Sequence, residues 1–215
     1  MQVRVEWPTM PLAARVSPGT SACGTALAAQ VAPTTTWGIP EVVVFVEGAP
    51  ASSGAAADDV RIAIDRCAVT PRLAIGSQVS IASAGEQPLR ASIAKRLDVK
   101  DPKVVNKLED MKVNLKAPAV PIALPIAGHV VTVDLDDGAI YRVAPDGKDV
   151  GDGYVVSATA FVTDATGVAL VKDVPPGNHA VRVWLPPRGG QPARTASGEV
   201  TVAAGDLAEL TLTLE

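Results

Sequence analysis

Glycine and proline interrupt this chain so often that few segments are long enough for anything but a short strand. There are 18 of each among 215 residues. Glycine punctuates by allowing φ > 0, and proline by removing a backbone donor. Between the breaks lie segments rich in Val, whose branched side chain suits a pleated, half-buried surface. Gln2–Trp7 and Val60–Ile64 alternate apolar with polar positions, the period of a strand with one wet face. Val42 to Val46 is instead an unbroken apolar run closed by Gly48, which predicts a strand covered on both faces.

The rest of the chain follows the same grammar. Arg72–Ile75 and Gln78–Ile81 read as a hairpin turning at Gly76. His129–Asp134 and Ala139–Val143 read as another, turning at Asp137-Gly138. Further strand segments are Tyr154–Val162, Val168–Val171, His179–Trp184, Gly198–Val202 and Leu207–Leu214, parted by turn signals at 164–167, 175–177 and 204–206. Residues 91–111 have helical character, with Asp101-Pro102 as a start signal and Val104, Val105, Leu108 and Met111 on one face, and read as a single short helix or an irregular segment. Pro118, Pro121 and Pro125 make the next stretch an edge or extended segment. Strands at this spacing predict an all-β fold of the β-sandwich type.

Charge and composition exclude several functions. The net charge is −4 with both signs dispersed, and no basic stripe could follow a phosphate backbone, so nucleic acid is not an expected partner. No apolar run reaches the roughly 20 residues needed to span a bilayer. Met1–Trp7 has no apolar core of a signal peptide. The chain is then either cytosolic or a mature one, and the cysteines together with the resemblance given below favour a mature chain from the periplasm or extracellular space. Cys23 and Cys67 are then a disulfide candidate, with two separate buried thiols as the alternative. Neither has a His beside it in sequence, as a catalytic thiol would favour.

Other chemistry is poorly supplied. A blue-copper site needs two His, a Cys and a weak axial ligand, and the chain has only His129 and His179, with no Cys after Cys67. Asp146, Asp149 and Asp152 are the spaced acids of one loop, which lacks an EF-hand pattern and contains Lys148. Acidic neighbours such as Asp58-Asp59 and Asp136-Asp137 would point to opposite faces of a strand. There is no Gly-x-Ser-x-Gly, phosphate-binding loop or dinucleotide fingerprint. We expect no catalytic site, no metal and no cofactor. Of the tryptophans, Trp184 ends an apolar strand and reads as packing, whereas Trp37, in a Thr-rich loop before Gly38, is the candidate ligand contact.

Two segments resemble known families. Phe161-Val-Thr-Asp-Ala-Thr-Gly167, Val174-Pro-Pro-Gly177 and Ala180-Val-Arg-Val-Trp184 together resemble the carboxypeptidase regulatory-like domain, a transthyretin-like β-sandwich. Val60 to Arg72 followed by Ile75-Gly-Ser-Gln-Val-Ser-Ile81 resembles the opening of cupredoxin-like domains in secreted bacterial proteins. In those a later turn carries the first copper-binding His, but Ala82–Ala91 holds no His, and the later Cys-x-x-His segment is missing. The resemblances imply two Greek-key-type sandwiches. A discontinuous regulatory-like one would comprise 1–50 and 156–215, leaving through the Ala/Ser/Gly linker 49–57. A cupredoxin-like one without copper ligands would occupy 58–155. The expected function is a non-enzymatic envelope protein, binding or structural, whose partner is another envelope protein or itself. A copper electron carrier with atypical ligands and a carbohydrate-binding module are the alternatives.

Overall fold

A computed structural model describes residues 1–11, 38–50, 57–64, 69–98, 118–146, 151–188 and 190–215. The elements among them are strands: β1 (Gln2–Glu6), β2 (Val43–Val46), β3 (Ala57–Ile64), β4 (Val69–Thr70), β5 (Leu73–Ser83), β6 (Leu89–Asp98), β7 (Val120–Leu124), β8 (Val130–Asp134), β9 (Ala139–Pro145), β10 (Gly153–Ser157), β11 (Phe161–Val162), β12 (Val168–Leu170), β13 (Gly177–Leu185), β14 (Arg194–Val202) and β15 (Glu209–Thr213). The fold is all-β, and no helix among the described residues is long and apolar enough to cross a membrane.

Strands from the two ends of the chain build a sandwich. One sheet has the order β12-β1-β15, with β1 antiparallel to β12 and parallel to β15. The other has the order β11-β2-β13-β14. Alternation along β1 sends Val3 and Val5 inward, where they meet Val44, Val46, Val181, Val183 and Leu212 in one core. Strands between residues 57 and 157 make the remaining sheet, in the order β4-β3-β5-β10-β9-β6-β7, with β8 also on β5. That sheet folds over a second core containing Ile62, Ile81, Ile93, Leu124, Tyr141 and Val155.

Four sequence expectations need correction. The predicted strand Tyr154–Val162 is two, β10 in the large sheet and β11 in the sandwich. The predicted hairpin at Gly76 does not form, because Leu73–Ser83 is one strand of 11 residues. Its first residues pair with β10 and its later ones with β3 and β8, so the neighbour changes while the chain runs straight on. The turn at Asp137-Gly138 exists, with Gly138 at φ 76, yet β8 and β9 do not pair as a hairpin. β8 pairs with β5, and β9 with β10 and β6. Val131 and Val133 on one side and Ala139, Tyr141 and Val143 on the other all pack into the second core, so the connection crosses between its walls. Finally, 91–98 belongs to β6 rather than to a helix, because pairing on both sides with β7 and β9 imposes a period of two. The rest of that predicted helix lies outside the described residues. Pro121 sits in β7, an edge strand paired through β6, as a missing donor allows.

A third apolar layer joins the two bodies. Val43, Trp184 and Ala193 from the sandwich pack with Ile140, Tyr154 and Val156 from the large sheet. β2 therefore buries Val44 and Val46 on one face and Val43 on the other, which explains its unbroken apolar run. β10 does the same with Val155 against Tyr154 and Val156.

The Thr-Asp-x-x-Gly segment has a local reason for each residue. The Thr163 hydroxyl donates to Ile39 O at 2.7 Å and accepts from Val42 N at 3.0 Å. Asp164 Oδ1 accepts from Thr166 Oγ1 at 2.6 Å, Thr166 N at 2.8 Å and Val168 N at 3.2 Å. The Thr166 hydroxyl holds the Asp164 carboxyl below its ordinary pKa against the opposing effect of burial, with help from the Val168 and Thr166 backbone donors. Gly167, at φ 79, lets the turn press onto Gly38: a Cβ on Gly167 would lie 2.4 Å from Ile39 N, and one on Gly38 1.9 Å from Thr166 O. Gly167→Ala and Gly38→Ala should each cost about 1–3 kcal/mol in urea unfolding, whereas Gly85→Ala, where a Cβ meets nothing within 4 Å, should stay within about 0.5 kcal/mol of the parent.

Candidate functional site

Cys23, Cys67 and Trp37 lie outside the described residues, so the disulfide and the Trp37 ligand contact have no structural counterpart here. The two histidines are in unlike places. His129 is exposed in the turn before β8. His179 is 7 % exposed in β13, with Nδ1 2.8 Å from Glu47 O and Nε2 2.7 Å from Pro175 O. It therefore stitches the end of β2 to the turn preceding β13. Among the described residues no group of three or more His, Cys, Asp or Glu could hold a metal ion.

The two described tryptophans, Trp7 and Trp184, are buried and do not make a surface platform. Trp7 is 1 % exposed and lies under the Arg194 guanidinium, 4.3 Å from its ring centroid. Trp184 is fully buried and meets Tyr154 edge to face, with centroids 5.4 Å apart and planes at 81°. Several acids are held in ion pairs. Asp152 accepts from Arg142 Nε at 2.6 Å, and Asp136 from Lys95 at 3.3 Å. Burial alone would weaken the Arg142 guanidinium, but the Asp152 carboxylate more than offsets it and raises its pKa.

A cluster of charged side chains lies beside the third apolar layer. Arg72, just before β5, reaches across to the carbonyl of Pro187 in the β13–β14 loop. Its guanidinium carbon also lies 5.9 Å from the Tyr154 ring centroid. The next residue, Arg188, is 2 % exposed. It donates to Pro40 O at 3.3 Å and to Glu41 Oε2 at 3.4 Å. Glu41 itself is held at φ 59, a conformation that non-glycine residues rarely adopt. Burial, helped by the neighbouring Arg188 charge, lowers the Arg72 pKa, and burial against the opposing pull of Glu41 lowers that of Arg188. The sequence gives no hint of this cluster: its members come from positions 41, 72, 154, 184 and 188, and an Arg after Pro-Pro reads as an ordinary surface residue.

The cluster sets several donors against one carboxylate, that of Glu41. An indole N–H only donates, and a guanidinium keeps its charge across the physiological range. Burial, reinforced by the Asp152 charge and partly relieved by Arg72, pushes the Tyr154 phenol up to about 12, which keeps it neutral near pH 7.

Trp184→Ala should cost about 3–5 kcal/mol, as expected for an emptied aromatic site, measured by chemical denaturation. His179→Ala should cost about 1–3 kcal/mol by removing a buried ring and stranding the carbonyl to which it donates. An unfolded chain releases the Tyr154 proton near pH 10, while the folded one holds it to about 12. Stability from this source is complete below the first value and lost as pH rises towards the second. Tyr154→Phe should therefore flatten the fall of stability with pH in that window. No protein-family model and no curated protein matches the chain, so its role must be read from these residues.

Proposed function

We propose that the chain is a non-catalytic binding or structural protein of the cell envelope, periplasmic or extracellular, acting through contacts with another envelope protein or a second copy. In this reading a regulatory-like β-sandwich, 1–50 and 156–215, carries a cupredoxin-like module, 58–155, that has no copper ligands. The division is supported by strand pairing: among the described residues, strands between 57 and 157 pair with one another and the remaining strands pair with one another. The regulatory-like resemblance is supported by the roles that Thr163, Asp164 and Gly167 take in the 163–167 turn.

The observation that carries the non-catalytic reading is the employment of the chemistry-bearing side chains. His179, Asp164, Asp152, Asp136 and Tyr141 each make a hydrogen bond or ion pair that ties one segment to another or closes a turn. The apolar layer around Trp184 and Tyr154 would hold two modules as one rigid body, which suits presenting a fixed surface.

The test is affinity capture from a solubilised envelope fraction, paired with sedimentation analysis of the purified chain. A specific partner, or a concentration-dependent dimer, is expected. A strictly monomeric chain that captures nothing refutes the proposal. Cu(II) titration should give no intense visible band, and a tight blue complex would favour the electron-carrier alternative instead.

A further inference from the structure

The cluster beside the third layer has more donors than acceptors. Arg72 Nε, Arg188 Nε and Trp184 Nε1 are all buried without a hydrogen-bond partner. All three belong to one neighbourhood. Trp184 touches Tyr154, Arg72 lies beside the Tyr154 ring, and Arg72 also bonds the carbonyl that immediately precedes Arg188. Orphan donors in a low-dielectric site are costly, and costlier when they belong to a charged group.

The charge count points the same way. Two guanidiniums face one carboxylate, Glu41, and that contact is long at 3.4 Å. Asp152, the next nearest acid, is held by Arg142 at 2.6 Å. Tyr154 is neutral. The cluster therefore keeps an excess positive charge beside three unused N–H groups. Arg72 as a residue is only partly buried, although its Nε is enclosed. Guanidinium forks match the planar or tetrahedral oxygens of carboxylate and phosphate groups.

We propose that this junction binds a small oxyanion, the carboxylate or phosphate group of a ligand, between Arg72 and Arg188, with the Trp184 indole as a third donor. The proposal is independent of the envelope-partner reading, because it concerns a ligand at the join and not a protein surface. Bound there, the anion would tie the β13–β14 loop to the start of β5 and so stiffen the contact between the two bodies.

The experiment is a thermal-shift and calorimetric titration with inorganic phosphate and, separately, acetate, each against chloride at matched ionic strength. A saturable rise in Tm with either anion is expected, and the anion that acts tells phosphate from carboxylate. Arg188→Met should weaken binding by about tenfold or more. Arg72→Lys keeps the charge but loses the fork, and should weaken it measurably while the far-ultraviolet spectrum stays that of the parent. This second variant keeps the test decisive if Arg188→Met fails to fold. Arg61→Met, on the exposed face of β3, should leave the response unchanged. No anion-specific shift, or a shift untouched by Arg72→Lys in the folded protein, overturns the proposal and leaves an adventitious ion only.

Discussion

The architecture depends on two strands, β2 and β10, having no wet face. A strand of an ordinary sandwich buries every second residue and hydrates the rest. β2 buries Val44 and Val46 in the sandwich core, and its opposite face places Val43 against Trp184, Tyr154 and Val156. β10 repeats this from the other side with Val155 and Val156. Each of these strands would leave an apolar face open if the two bodies parted, so the hydrophobic effect favours their contact at the same positions that build each core.

Close backbone approach is the second constraint. The turn at Gly167 presses on Gly38 with no room for a Cβ on either, and this contact lets Val5 N donate to Gly167 O and Ile39 N donate to Val5 O. Gly198 plays a similar part between sheets, since a Cβ there would lie 2.9 Å from Leu212. The glycines in this fold thus serve two ends, turning the chain where φ is positive and bringing layers together where side chains would hold them apart.

Polar groups fill in what packing leaves. Asp164 closes a turn, the His179 ring sits between the Glu47 and Pro175 carbonyls, and Arg142 with Asp152 ties β9 to the segment entering β10. The Arg72 and Arg188 pair departs from this pattern. Its guanidiniums are desolvated beside the aromatic pair of the join, yet its donors exceed the acceptors around them. Only the Glu41 carboxylate answers these two charges directly, at 3.4 Å from Arg188.

What the sequence determined alone is the local grammar. Val-rich segments between Gly and Pro had to be strands, the run at Val42–Val46 had to be covered on both faces, and Pro121 had to sit on an edge, because each follows from side-chain period and backbone donors within a few residues. Partner choice was not local. Gly76 stays within one strand because β10 pairs with β5 before it and β3 and β8 flank β5 together after it, and Asp137-Gly138 turns between strands that pair elsewhere. The arginine cluster was equally hidden. Glu41, Arg72 and Arg188 are far apart in the chain, and only the packing of Tyr154 on Trp184 brings them together and strips away the water that would otherwise make them ordinary surface charges.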